Sequence, residues 1–210
     1  MARHRSPEPV FSVLFVCTGN VCRSPLAERL GRAYLHEALG ERADEVRLVS
    51  AGVRAVVGSG LHPDSALVLQ GLGGDPQGFR ARQLLDHMVV DADLTLTMTR
   101  AQRREVLELA PRVLSRTFTL REAADLVRSI DDDVDRSAGD GLADQARMLV
   151  RRLHAARSRR QGGPGDDVRD PIGLPPEVHQ ETGEAVAAAL LPLLERIVGL
   201  ACTSDDVRRP

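Results

Sequence analysis

Lysine is missing from this 210-residue chain, and all 28 of its basic residues are arginine. The bias reads as one of composition rather than chemistry, since 30 acidic residues bring the formal net charge to −2. A balance so close to neutral excludes a protein that coats nucleic acid, and no nucleic-acid partner is expected. Tryptophan is missing too. Tyr34, Phe11, Phe15, Phe79 and Phe118 are the only aromatic residues of their kinds, so the core must be built from Leu, Val and Ala. Cysteine is scarce: Cys17, Cys22 and Cys202 are odd in number, which argues against a disulfide framework. Cys17 and Cys22 form a C-x4-C pair, but a structural zinc site needs about four ligands and no second Cys/His pair has suitable spacing. Neither a metal nor a cofactor is therefore expected. No stretch approaches the ~20 apolar residues of a membrane span, and the run after the basic Met1–Pro7 start is too short for a secretory signal. These absences predict a cytoplasmic protein, in which a thiolate stays reduced.

What is present is concentrated near the start. Phe11 to Val16 is a short apolar run rich in β-branched and aromatic residues, suited to a buried parallel strand. Gly19 and Asn20, residues that readily adopt left-handed backbone angles, follow it. From Leu26-Ala27-Glu28-Arg29-Leu30 the apolar period becomes helical. A strand, a tight loop and a helix N-terminus form an anion cradle, because backbone N–H groups converge there and the helix dipole favours negative charge. Cys17 puts a nucleophile at its mouth, and Arg23, with five residues between, puts a guanidinium at its rim.

The stretch Cys17-Thr18-Gly19-Asn20-Val21-Cys22-Arg23-Ser24-Pro25 resembles the signature of the low-molecular-weight protein-tyrosine phosphatases, which carry a C-x5-R-S phosphate loop at the N-terminus. Ser50-Ala51-Gly52 and Ala81-Arg82-Gln83-Leu84 resemble further segments of that family. The resemblance implies an α/β fold of three layers: a four-stranded parallel sheet with helices on both faces and the site at the carboxyl ends of the strands. It also implies a phosphorylated protein as substrate, with Cys17 as nucleophile and Arg23 as phosphate clamp. Thr18, Gly19, Asn20, Val21, Cys22 and Ser24 would complete the phosphate loop. The family's acid is the Asp of an Asp-Pro pair late in the chain, and Asp170-Pro171 occupies that place.

One phosphatase domain over residues 10–200 is expected, with residues 1–9 and 203–210 as disordered tails. The first helix is predicted from Arg23 to Leu39, a second strand at Val46–Val49, and a short helix from His62 to Leu69. His62 reads as a capping or surface residue sooner than a general base. A half-covered third strand is predicted at Asp93–Met98, a helix at Arg100–Leu109, and a fourth strand at 116–119. Residues 131–167 depart from the compact family pattern and read as a helical insert. Within it, Asp131-Asp132-Asp133-Val134-Asp135 fails as a calcium loop, since Arg136 stands where glycine is required. Leu142, Ala146, Leu149, Leu153 and Ala156 form an apolar stripe with arginines on the other sides, predicting an added surface helix; an acidic partner for this 142–160 segment is the alternative. Gly162–Gly165 reads as a flexible linker. The last helix is predicted from Glu177 to Val198, kinked at Pro192.

The family's substrate slot is usually walled with aromatics after the Asp-Pro and near the S-A-G segment. Here Ile172 and Ala55-Val56-Val57 stand there, so an aliphatic slot is expected. Protein-arginine phosphatases, which share the loop, typically carry Thr where this chain has Val21, and thioredoxin-coupled arsenate reductases need cysteines between Cys22 and Cys202 that are missing. Phosphotyrosine hydrolysis is the leading expectation, a protein-arginine phosphatase the alternative. A non-catalytic phosphate-binding module is a third reading, whose mark would be loss of Cys17, Arg23 or the acid.

Overall fold

In the computed structural model, residues 10–130 and 141–206 are described, with only the backbone of 202–206. Of the expected tails 1–9 and 203–210, residues 1–9 and 207–210 lie outside the described residues, as does the Asp131–Asp135 run, whereas 203–206 are the last turn of a helix rather than a disordered tail. Four strands, β1 (Phe11–Cys17), β2 (Val46–Gly52), β3 (Leu94–Thr97) and β4 (Thr117–Thr119), form one parallel sheet in the order β2-β1-β3-β4. Cys17 at the end of β1 stands beside Gly52 at the end of β2, so the carboxyl ends of the central strands open onto one place. Such a sheet requires crossovers, supplied by α1 (Arg23–Leu39), α2 (Pro63–Gly71) with α3 (Asp86–Asp91), and α4 (Arg100–Leu109); α5 (Leu120–Ser129), α6 (Leu142–Ala156) and α7 (Pro176–Asp206) follow the last strand.

The strand period of two sorts β1 between two cores. Phe11, Val13, Phe15 and Cys17 face α1, α5, α6 and α7; Leu14 and Val16 face the layer containing Val89, Val106 and Val113. Helices thus cover both faces. Contrary to the half-covered reading, β3 is buried along its whole length, because the α5–α7 layer lies on one side of it and α4 on the other. α4 begins at Thr99, whose side chain accepts from the Gln102 amide, and α5 begins with a reciprocal capping box between Thr119 and Glu122. The short helix α3 has no counterpart in the sequence reading; its six residues are too few to show a period.

Two elements depart further from expectation. α6 is not laid on the surface: Leu142, Ala146, Leu149 and Leu153 join the same core as Phe11 and Phe15. Burying four such side chains contributes on the order of 1.5–3 kcal/mol for each leucine. Arg147 of this helix is turned to Asp93 at 2.8 Å, and Arg157 just after it to Glu122 at 2.8 Å. α7 extends to Asp206, well past Val198, and runs on through Pro192. Proline cannot donate to the carbonyl four residues earlier, which here is Ala188. Arg128 of α5 supplies the missing donor, its Nη2 lying 2.9 Å from the Ala188 oxygen. No helix among the described residues is long and apolar enough to cross a membrane.

Candidate active site

The loop from Cys17 to α1 is shaped by what its carbonyls do. Those of Cys17, Thr18, Gly19 and Val21 accept from the amides of Val53, Arg54, Val56 and His62 at 2.8–3.0 Å. A trans peptide points its N–H opposite to its C=O, so the amides of Thr18, Gly19, Asn20 and Cys22 are turned to the inside of the loop. The first turn of α1 adds to them, because its N-cap residue Cys22 makes no side-chain cap. Convergent amides at a helix N-terminus are an anion cradle. Gly52 lets the neighbouring strand pass close behind: a Cβ there would lie 2.5 Å from the Thr18 carbonyl oxygen.

Asn20 holds the turn. It has φ +54, the only positive value at a non-glycine among the described residues, and is wholly buried. Its Oδ1 accepts from the Arg82 amide at 2.8 Å; its Nδ2 donates to Ser24 Oγ at 3.0 Å and Ser50 Oγ at 2.9 Å. These bonds offset the cost of a left-handed residue. They also fix the direction of the next ones. Buried Glu28 only accepts as a carboxylate, so Ser50 donates to it at 2.6 Å and receives from Asn20. Ser24 likewise receives from Asn20, which frees its own proton for Cys17 Sγ at 2.9 Å in preference to the Ala51 carbonyl at 3.5 Å. Two donor arms thus diverge from the Asn20 amide, one ending at the Glu28 carboxylate and the other at the Cys17 sulfur. Ser50 and Glu28 were not foreseen as site residues. Glu28 sits one helical turn after Ser24, a spacing that signals a shared face but not a role.

Arg23 is buried, at 3% exposure, against the mouth of the loop. Its Nη1 donates to the Val168 carbonyl at 3.1 Å, its Nη2 pairs with the Asp170 carboxylate, and its buried Nε has no partner. Asp170 therefore reaches the loop despite the helix inserted before it. Two attachments bring it there: the Val168 amide donates to the Met98 carbonyl just beyond β3 at 2.8 Å, and Arg160 clamps Asp166 and Asp125. The Gly162–Gly165 stretch is accordingly an ordered turn rather than a linker, ending at the buried Asp166. Burial alone would raise the Asp166 carboxyl, but Arg160 and the Gly163 amide hold it below the usual carboxylate range. Asp167 is likewise held down, against burial, by Arg100, whose Nη2 lies 3.1 Å away. Both stay ionised in their own pairs. Asp170 is nearly half exposed and is the carboxylate that faces the loop.

Thr18 is held from outside by Gln102 Nε2 at 3.0 Å. Cys22 is buried in a cluster with Val21, Phe79 and Ala81, and burial pushes its thiol up to about 11 against the pull of a Ser65 hydrogen bond. Cys17 and Cys22 are both free thiols. His62, expected as a capping or surface residue, stands at the N-cap position of α2 but makes no side-chain capping bond; its ring stacks on that of His179, with centroids 4.5 Å apart. His179 is lowered by burial and by the neighbouring His62.

A profile for low molecular weight phosphotyrosine protein phosphatases matches residues 12–136, which includes the whole loop and stops before Asp170. A probable low molecular weight protein-tyrosine-phosphatase, EpsP of Ralstonia solanacearum, is 38% identical over 111 residues, spanning 53% of this chain and 71% of that protein. Among solved structures, the low molecular weight protein tyrosine phosphatase of T. tengcongensis superposes with a TM-score of 0.62 at 30% identity, covering 88% of this chain and 98% of that one. The YwlE arginine phosphatase of Geobacillus stearothermophilus superposes with a TM-score of 0.61 at 26% identity, covering 95% and 98%. With a cysteine-headed anion loop in place, an arginine and a carboxylate closing its mouth, and most of its length matched in sequence or in fold, the chain belongs to the low-molecular-weight phosphotyrosine protein phosphatase family.

Proposed function

We propose that the protein hydrolyses phosphotyrosine in proteins through a cysteinyl-phosphate on Cys17. The observation that carries this reading is the meeting of Arg23 with Asp170 over the loop headed by Cys17. In the resting site Arg23 is held by Asp170 and Val168. An arriving phosphate dianion takes over the guanidinium, whose fork matches two of its oxygens, and its third oxygen lies among the loop amides. The unpartnered Nε of Arg23 is a donor suited to the same group. The released Asp170, protonated, is then free to face the ester oxygen. The Cys17 thiolate attacks phosphorus; the S–P bond forms as the P–O bond to the tyrosine breaks, and Asp170 gives its proton to the departing phenol. In the second step the Asp170 carboxylate takes a proton from water while the water oxygen attacks phosphorus. The S–P bond breaks, phosphate leaves, and the thiolate is regenerated with Ser24 donating to it.

The slot favours an aryl group. Val21 and Val56 border Gly19, and Val56, Val57 and Ile172 are among the exposed large apolar side chains. Such a rim suits an aromatic ring and offers no acceptor to a guanidinium. The likeness to an arginine phosphatase supports the second reading, phosphoarginine, for which Asp170 is the one carboxylate placed at the loop. Values of kcat/KM on matched phosphotyrosine and phosphoarginine peptides decide between them: preference for phosphotyrosine is expected, and preference for phosphoarginine overturns the assignment. The free thiols of Cys17 and Cys22 suit a reducing, cytoplasmic setting. An external acidic partner for α6 has little left to bind at Arg147, Arg157 and Arg160, which are engaged within the chain.

A further inference from the structure

Beside the phosphate loop lies a second group of polar side chains that the hydrolysis does not use. His62 precedes α2, Asp64 is in its first turn, and His179 is in the first turn of α7. The last can approach because Gly183, one turn further along α7, lies where a Cβ would stand 2.3 Å from Val68 Cγ1 of α2. The nitrogens that face the carboxylate are His62 Nδ1, at 3.7 Å from Asp64 Oδ2, and His179 Nε2, at 3.9 Å from the same oxygen. Both are buried and neither has a hydrogen-bond partner. His179 is 1% exposed, so its open nitrogen is a fully buried polar atom aimed into the cluster. A buried polar atom left unpaired is destabilising, and two at one carboxylate call for an occupant between them.

The other side of His179 has a partner that suits a metal-binding form of the ring. Its Nδ1 lies 2.9 Å from Ser65 Oγ. With Ser65 Oγ accepting from Nδ1–H, the proton of the neutral ring is on Nδ1. The imidazole then presents an Nε2 lone pair toward Asp64. A ring whose far nitrogen donates to an outer partner while its near nitrogen offers a lone pair is the arrangement of metal-bound histidines.

We propose that His62 Nδ1, Asp64 and His179 Nε2 form a binding site for a divalent transition-metal ion of the zinc class, beside the phosphate loop and separate from its chemistry. The three ligand atoms lie within 4.8 Å of one another. A tetrahedral ion with bonds of about 2.0–2.1 Å holds its ligands about 3.4 Å apart, so the site must tighten by roughly half an ångström at the carboxylate and by up to about 1.4 Å between the two imidazole nitrogens. It also requires the His62 ring to turn out of its stack on His179. His62 is the more exposed of the two, at 30% for its side chain, and is free to do so. Two imidazoles and one carboxylate select a borderline ion over calcium or magnesium, which prefer oxygen ligands throughout. Three protein ligands leave a fourth position open to water. The pattern escapes the sequence because His179 is far along the chain and only the packing of α7 on α2 supplies it.

Binding of Zn2+ and Co2+ to the metal-stripped full-length protein tests this, by calorimetry, by the visible spectrum of the cobalt form, and by thermal melting. One ion for each chain is expected, with a tetrahedral cobalt spectrum lacking thiolate charge transfer, and no competition from Mg2+. Zinc at a hundredfold excess over its Kd should raise Tm by roughly 5–10 °C. His62→Ala and Asp64→Asn, at partly exposed positions that leave the core intact, should each weaken binding at least tenfold; Cys17→Ser should not. Failure of either ion to bind overturns the proposal. So does binding that survives both His62→Ala and Asp64→Asn, or that disappears with Cys17→Ser, which would make it a thiolate site.

Discussion

Replacing Asp170 with asparagine should change two quantities in opposite directions. The amide keeps the shape of the side chain but can neither deliver a proton nor carry the charge that holds Arg23. For a poor leaving group such as tyrosine, loss of the acid should lower kcat/KM by roughly 10²–10³, or about 2.7–4.1 kcal/mol. For an aryl phosphate whose phenol leaves unaided, the same constant should fall far less. The comparison uses kcat/KM because it ends with the first phosphoryl transfer and does not include hydrolysis of the intermediate. Inhibition by inorganic phosphate should meanwhile tighten, because Arg23 no longer has to leave a carboxylate. Asp170 is nearly half exposed, so this pair is screened and contributes at most about 1 kcal/mol, giving a Ki lowered up to about fivefold. Steady-state kinetics on a series of aryl phosphates, with phosphate as competitive inhibitor, reads both effects. Equal losses across the series would show that Asp170 shapes the loop without donating a proton. A weakened phosphate Ki would refute the resting pair. Asp166 and Asp167 are no substitutes, since Arg160 and Arg100 engage them.

Gly52→Ala should reduce turnover at least tenfold with only modest loss of Tm, since its Cβ meets the Thr18 carbonyl of the phosphate loop and displaces the cradle more than the core; catalysis at the wild-type rate would contradict the close approach. Peroxide should oxidise Cys17 and allow Cys22 to trap it as a disulfide, detectable as a 17–22 linkage by mass spectrometry. Because burial pushes Cys22 up to about 11, its thiolate fraction rises about tenfold for each pH unit below that value, and the trapping rate should rise with it; a rate independent of pH between 7 and 9 (roughly) would exclude Cys22 as the resolving thiol.

The phosphate loop was legible in the sequence because its parts are contiguous: Cys17 through Pro25 fall in one turn between a strand and a helix, and local backbone preference fixes them. The bounds of α1 and α4 were legible for the same reason, with Gly40 ending one and Thr99 opening the other. What failed depended on neighbours distant in the chain. An amphipathic stripe gives α6 a buried face but not its depth, and only the presence of Phe11 and Phe15 beneath it makes it part of the core. α7 runs past its predicted end at Val198, and Arg128 from another helix reaches the Ala188 carbonyl that Pro192 leaves without its helical donor. Asp170 was identified by its Asp-Pro context, yet its arrival at Arg23 rests on the Val168–Met98 pairing and the Arg160 clamp. Glu28 and Ser50 remained hidden because a buried hydrogen-bond network has no sequence period.

The most direct test of the account is to catch the phosphoryl group on the protein. The Asp170→Asn variant, mixed with an aryl phosphate that has a good leaving group, should phosphorylate rapidly and dephosphorylate slowly, since it lacks the base for the second step. Rapid quenching followed by peptide mass spectrometry should find one phosphoryl group for each chain, on Cys17, and none in a variant that also carries Cys17→Ser. A phosphoryl group on another residue, or undiminished turnover by the Cys17→Ser protein, would contradict the mechanism.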